Sequence, residues 1–395
     1  MTRPAVLGSP PTFPDGLPFV RPACPPFRDV AKRVQRSYDR GILTNGPLVR
    51  ELEAAVADRL GVAQVVAVSS CTSGLMLAMQ ALVPPRARVV LPSFTFSATA
   101  HAAVWAGSQP AFAECGADDC QLDLADAAER LDGAGALVGV HLFGAPCRPT
   151  ATEELGRRAG VPVIFDAAHA FGAIHRGRAV GGFGNAEVFS LSPTKPLVAG
   201  EGGLVATSDH ELATRIRLGR DYGNPGDYDT QFAGLNARMS ELHAAIALAA
   251  LPELDNHLAR RQELAARYRD ILEAIPGIRA QRVEIDDVST VKDFTIIIEP
   301  AEFGVSRDDV VEALRADGVD TRCYFSPPVH RQTSYQRLPS IDLPVTDRLA
   351  GQVISLPIWR DLDGDAVDAV VDVLARIHEH AEEVQEHRRL ACVPS

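Results

Sequence analysis

Lysine is nearly missing from this chain of 395 residues: of 39 basic residues only Lys32, Lys195 and Lys292 are lysine, and the rest are arginine. The bias writes solvated positive charge as guanidinium, which does not lose its proton near neutral pH. A lysine kept against it is either a chance survivor or a candidate for amine chemistry, attack on a carbonyl above all. Long apolar runs are missing too. The longest, Ala244 to Leu251, has eight residues, where a membrane helix needs about 20, so no membrane contact is expected. No basic run accompanies the net charge of -12, which argues against nucleic acid as the partner. The N-terminus shows no apolar segment behind a basic stretch, only an arm with eight prolines in residues 1–27. No secretory signal is read there, and a cytoplasmic protein is expected. The cysteines (Cys24, Cys71, Cys115, Cys120, Cys147, Cys323, Cys392) are odd in number, scattered, and contain no C-x-x-C pair. They read as reduced thiols rather than a disulfide framework or zinc site. The histidines lack metal spacing, so no metal is expected. There is no Walker lysine, H-E-x-x-H or G-x-S-x-G, and Glu187 stands where a dinucleotide loop begun at Gly182 needs its third glycine.

What is present is enough chain for two domains and a strand-then-helix rhythm. Apolar strands are expected at Gln64–Val68, Arg88–Leu91, Gln109–Ala113, Ala136–Leu142 and Val161–Phe165, with helices at Pro47–Leu60, Thr72–Leu82, Ser97–Ala106, Leu124–Leu131 and Thr150–Arg158 between them. Continuous apolar strands alternating with helices predict an α/β fold, a mostly parallel sheet covered on both faces. Two closely spaced strands, Ala186–Leu191 and Gly203–Thr207, break the rhythm. A helix at Asp209–Arg220 follows, then a long helical region from Met239 to Ala274 interrupted at Pro252. A strand at Asp293–Ile298, a helix at Arg307–Ala316 and a last helix at Ala366–His380 complete the reading. The expected organisation is an extended arm (1–27), a large cofactor-binding domain (28–252) and a smaller C-terminal α+β domain (253–395).

One constellation carries chemistry. Asp166 ends a predicted strand, Lys195 follows 29 residues later on a turn before Gly200-Glu201-Gly202-Gly203, and Ser69–Gly74 lies between a strand and a helix. Small residues at a helix start let backbone N–H groups face an anion, where the helix dipole favours phosphate. Each element has a plain alternative: Asp166 could cap a helix, Ser69–Ser73 could be an ordinary turn, and Lys195 an exposed charge. Together they suit pyridoxal 5'-phosphate, whose aldehyde needs an amine, whose ring nitrogen needs an acid partner and whose phosphate needs a cradle.

The chain resembles the DegT/DnrJ/EryC1/StrS family of nucleotide-sugar aminotransferases, fold-type-I pyridoxal phosphate enzymes, from Leu17 to about His378. The resemblance rests on Leu43–Pro47, Ser69–Gly74, Pro92–Phe96, Asp166–His169, Ser190–Gly203 and Gly234–Glu241. It implies that Lys195 bonds covalently to the cofactor and that Asp166 pairs with its ring nitrogen. His169 would face its phenolic oxygen and Phe96 would stack on the ring, a core phenylalanine being the rival reading. Backbone groups of Cys71 and Thr72, with the Ser190 hydroxyl, would hold the phosphate, and Asn236 would reach the phosphate of a second subunit in a homodimer with shared sites; as an alternative, Asn236 caps the following helix. Cys71 stands where the family commonly has glycine, a change tolerated if its φ is negative. Tyr324, Phe325 and His330, within Arg322–His330, resemble the substrate-side loop. The implied reaction moves an amino group from glutamate, through pyridoxamine 5'-phosphate, to a nucleotide-linked keto-6-deoxy sugar. The nearest look is to enzymes acting at C4 of dTDP-4-keto-6-deoxyglucose, for an amino sugar on a glycosylated metabolite. Alternatives are a C3 aminotransferase, a pyridoxal phosphate lyase or decarboxylase, and a regulatory protein of the same family.

Overall fold

The computed structural model describes residues 2–391, with Cys392 outside the described residues. Its centre is a seven-stranded sheet in the order 64–68, 203–207, 186–190, 163–166, 134–140, 88–92, 109–113. All neighbours are parallel except strand Gly203–Thr207, which runs antiparallel to both of its own. Side chains alternate across the strands. Val66 and Val68 enter one apolar cluster with Leu75, Met79 and Ala103, while Val65 and Ala67 enter another with Leu52, Val56 and Leu248. Helices Cys71–Leu82 and Ser97–Trp105 thus cover one face, and helices Pro47–Leu60 and Glu241–Ala250 the other.

The reversed strand shapes the site. In open α/β sheets, ligands collect at the carboxyl ends of parallel strands. Here Val140, Asp166 and Val188 lie in register, and Gly203, the first residue of the reversed strand, pairs with both Ser190 and Val68. One strand's beginning therefore meets its neighbours' ends. Gly203 fits only as glycine: a Cβ would lie 2.5 Å from the Ser70 carbonyl carbon and 2.6 Å from the Cys71 nitrogen.

Beyond the sheet, Pro252 sits in a 3-10 turn, Leu251–Glu253, joining helices Glu241–Ala250 and Leu254–Leu272. Proline lacks the N–H that an uninterrupted helix would need there. A second sheet orders Ile278–Ala280, Phe294–Ile298 and Val353–Leu356, and a third joins the Ile174–Ala179 hairpin to Asp287–Val288. Most of these strands were not expected, because strands of two to four residues carry too little alternation to read. Helix Phe27–Asp39 was also unexpected; it buries only Val30 and Ser37, too thin a stripe to read. Helix Gly364–Glu379 is not the last, since helix Ala381–Ala391 follows it.

The N-terminal arm gains its order from Asp317. This fully buried carboxylate accepts bonds from Ala5 N (2.9 Å), Thr12 N (3.1 Å) and Thr12 Oγ1 (2.6 Å). Beyond it, Leu17 N donates to Gly318 O at 2.7 Å. The arm carries Phe19 inward to pack edge-on against Tyr324, centroids 6.1 Å apart. No helix among the described residues is long and apolar enough to cross a membrane, and none of their His, Cys, Asp and Glu side chains cluster as metal ligands.

Candidate active site

A cavity of about 340 Å³ opens where the parallel strands end. Asp166 is the last residue of strand Val163–Asp166, and its carboxylate accepts from Thr99 Oγ1 at 2.7 Å and from Ala168 N at 3.1 Å. No helix begins at Ala167–Ala170, so the carboxylate caps a turn rather than a helix. Thr99 has a second oxygen, Thr95 Oγ1, at 3.0 Å. These contacts orient the carboxylate toward the cavity it lines.

Lys195 lies on a loop closed at its base by Leu191 N to Gly202 O (2.9 Å) and Ala199 N to Leu191 O (2.8 Å). Burial pulls its amine down to about 8, the Lys292 charge adds to the effect, and Asp293, Cys71 and Asp166 oppose it. A lysine in that range exists partly as the neutral amine near neutral pH, the form able to attack a carbonyl or take up a proton.

His169 faces the same space. The turn after strand Ala134–Val140 passes through Phe143 at φ 58°, aiming the Phe143 N–H at His169 Nδ1, 3.2 Å away. With Nδ1 accepting, the ring proton sits on Nε2. Burial, then the Lys195 and Lys292 charges, keep the imidazole neutral by pushing its pKa well below the usual range.

At the helix Cys71–Leu82, Ser70 is the N-cap, its hydroxyl accepting from Ser73 N at 3.1 Å in a capping box. The cap serves Ser73, leaving the Cys71 and Thr72 amides, at the orphan first-turn positions, without a partner among the described residues. Cys71 starts the helix and is not among the positive-φ residues, so its Cβ is accommodated. Its thiol lies 3.5 Å from Val188 O and 3.9 Å from Asp166 Oδ1. Burial, reinforced by Asp166, pushes it well above the thiol range. Ser190 lies beside this helix start, buried, at the end of its strand.

These groups fit pyridoxal phosphate on the observations just given. Two helix-start amides and a hydroxyl suit a phosphate, a fixed carboxylate suits a ring nitrogen, and a buried amine of lowered pKa suits an aldehyde. Phe96, 59% exposed, lines the cavity beside Phe325, their ring centroids 6.2 Å apart, and Tyr324 lines it next to Phe325.

Two expected residues lie elsewhere. His330 is buried behind the cavity: Ser93 Oγ is 2.6 Å from its Nδ1 and Asp347 Oδ1 3.3 Å from its Nε2. Asn236 is exposed, pairs with Asp221 in a bridge and accepts from Arg238 Nη2 at 3.3 Å, away from the cavity of its own chain. It does not cap the following helix, whose N-cap is Ser240, accepting from His243 N at 3.2 Å. Two residues were missed. Thr99 gave no sequence signal beyond a threonine on an alanine-rich helix. Lys292, also lining the cavity, shares the rarity that marked Lys195.

The profile of the DegT/DnrJ/EryC1/StrS aminotransferase family matches residues 28–375. The crystal structure of DesI in the presence of its TDP-sugar product is 36% identical, with a TM-score of 0.92 and 98% of each chain covered. DesV from S. venezuelae in complex with a ketimine intermediate is 33% identical, TM-score 0.83, over 90% of this chain and 95% of that one. PseC from Helicobacter pylori, an aminotransferase involved in the biosynthesis of pseudoaminic acid, is 25% identical, TM-score 0.85, over 92% and 99%.

Proposed function

The chain belongs to the DegT/DnrJ/EryC1/StrS family of pyridoxal phosphate-dependent sugar aminotransferases, and from that premise we propose that it moves an amino group from glutamate to C4 of dTDP-4-keto-6-deoxyglucose. The observation that carries the reading is the meeting of Lys195, Asp166, His169 and the Cys71–Thr72 helix start on one cavity. The long match to DesI with its TDP-sugar product supports the substrate class, and the Arg322–His330 loop supports C4.

When bound, pyridoxal phosphate supplies an aldehyde that carries the amino group and a ring that withdraws electrons. The chain's residues do the rest. Lys195 in its neutral form would make the covalent attachment, and its amine, once displaced, would be the base that takes the proton from the donor's α-carbon. Asp166, fixed by Thr99 and the Ala168 amide, would accept the ring N–H and keep that nitrogen protonated. His169 would donate Nε2–H to the phenolic oxygen. The Cys71 and Thr72 amides and the Ser190 hydroxyl would hold the phosphate, Phe96 would cover the ring, and Tyr324 and Phe325 would bound the sugar side.

Asn236, exposed and outside its own chain's cavity, fits a homodimer in which it reaches the partner's phosphate. Mixing inactive Lys195→Ala chains with a crippling Asn236 variant tests this. Shared sites restore activity in mixed dimers, because one site collects both defects and the other is intact; unshared sites leave activity absent. For the reaction itself, protein loaded with pyridoxamine phosphate is offered 4-keto and 3-keto dTDP-sugars, and the product is read by NMR. Amine at C4 is expected; amine at C3 alone, or no amine, overturns the assignment.

A further inference from the structure

Two of the chain's three lysines line one cavity, and the proposed reaction uses only Lys195. Lys292 sits on a segment held tightly by its backbone. Thr290 N donates to Gly144 O at 3.1 Å and Thr290 Oγ1 to His169 O at 2.6 Å. The buried Arg261 donates to Val291 O at 3.0 Å and to Lys292 O at 3.2 Å. Val291 itself is held at φ 46°, a conformation that a β-branched residue adopts only when its surroundings impose it. The position of Lys292 is therefore set by the chain, not by its own side chain.

The lysine side chain is 4% exposed, and Nζ meets Asp293 Oδ1 at 2.7 Å. An ammonium has three N–H donors, and Asp293 is the sole acceptor to Nζ among the described residues. Rings of Phe19 and Tyr324 flank Nζ at 6.0 and 5.8 Å, contacts that favour a cation but accept no hydrogen bond in the ordinary sense. No arginine lines the cavity, and His169 is neutral there. His141, also on the lining, is tied to Glu187 at 3.0 Å, so once Lys195 is engaged Lys292 is the one lysine or arginine this chain leaves on the cavity wall.

The amino donor brings a matching charge. An α-amino acid carries a carboxylate on the same carbon that bears its amine, so whatever brings the amine to Lys195 brings the carboxylate into this cavity. Buried without a cation, that carboxylate would be strongly disfavoured. The diphosphate of a nucleotide sugar is separated from the keto carbon by the sugar ring and is not forced to the same depth. We propose that Lys292 receives the carboxylate of the amino-acid donor, with Asp293 holding the ammonium in place. This rests on the transamination reading above and adds a donor-specificity residue to it.

The test uses the cofactor-loaded protein and a non-reacting dicarboxylate, glutarate. Its binding is followed by the absorbance of the bound cofactor and by calorimetry. Lys292→Met combined with Asp293→Asn removes the pair without stranding a buried carboxylate; Lys292→Gln serves if that variant does not fold, and Lys292→Arg keeps the charge. The expected result is a tenfold or greater loss of glutarate affinity in the charge-removing variant, the size of one lost charge-assisted hydrogen bond. The KM for glutamate rises by a similar factor, the KM for the keto sugar stays within about twofold, and Lys292→Arg retains most glutarate affinity. Unchanged glutarate affinity overturns the proposal, as does a rise in sugar KM equal to that for glutamate, which would assign Lys292 to the diphosphate. If the wild-type protein binds glutarate through Lys292 but transfers no amine to any keto sugar, it is the functional reading that fails.

Discussion

The two walls of the cavity differ in how they are made. One is built from strand ends: Ser70–Thr72, Asp166, Ser190 and Lys195 each lie within a few residues of a strand in the central sheet. Sheet register aligns them, Val140 with Asp166 and Asp166 with Val188. The other wall collects Lys292, Tyr324 and Phe325, backed by Phe19 of the N-terminal arm. Backbone bonds hold Lys292, but side-chain packing holds the aromatic part, with Phe325 edge-on to Phe94 at 6.1 Å and stacked on Phe143 at 6.2 Å. Hydrogen-bonded strands fix atoms for chemistry, whereas packed loops change readily with sequence. On the proposed function, the contrast puts the reaction on the strand-built wall and substrate choice on the loop-built one.

Four measurements would break or sharpen that contrast. Lys195→Ala should have the largest effect, a loss of about 10⁴-fold in turnover from removing a proton-transfer group, with borohydride no longer trapping cofactor on the chain; full turnover with trapped cofactor would end the assignment. Asp166→Asn should lower turnover by about 10²–10³-fold, as for loss of one preorganised electrostatic partner. Cofactor affinity should fall far less, because the phosphate cradle is separate; near-native turnover would reduce Asp166 to a turn cap. Thr99→Val removes one hydrogen bond to a buried carboxylate, and about a tenfold loss is expected. It should come with a shift in the cofactor's absorbance that mere loosening of the helix would not produce. An effect of the same size is expected on pH. Capture of pyridoxal phosphate by the cofactor-free protein should speed up with rising pH as Lys195 loses its proton. The increase from pH 7 to 9 should be about tenfold and level off near pH 9, given a value of about 8. An ordinary lysine would show no plateau in that range.

The same contrast explains what could be read beforehand. Asp166 and the Ser69–Gly74 turn were legible because strand ends and helix starts announce themselves in apolar periodicity. Lys195 was legible because its residue type is so scarce. Lys292 carried the same signal, but nothing local joined it to the site: its neighbours there, Tyr324 and Phe19, are distant in sequence. Thr99 reads as one polar residue on an alanine-rich helix until Asp166 Oδ2 is found 2.7 Å away. The Arg322–His330 loop was recognisable as a unit, yet Tyr324 and Phe325 turn to the cavity while His330 turns to Ser93 and Asp347. The alternative reading of Asn236 as a helix cap fails because Ser240, four residues on, accepts from the His243 amide.

By itself, the sequence determined the alternation of strands and helices, the mostly parallel sheet, the strand-to-helix turn at Ser69–Gly74 and the choice of Lys195 and Asp166 as candidates. Each follows from a local rule: hydrophobic period, helix-start chemistry, or the pKa that separates lysine from arginine. Tertiary structure alone decided the lowered pKa of Lys195, the ring proton on His169 Nε2, the bond from Thr99 to Asp166, and the arrival of Lys292 and Phe19 at the far wall. Those depend on burial and on contacts between segments up to hundreds of residues apart. Desolvation and Coulomb coupling act through space, and only the folded chain brings the groups within range.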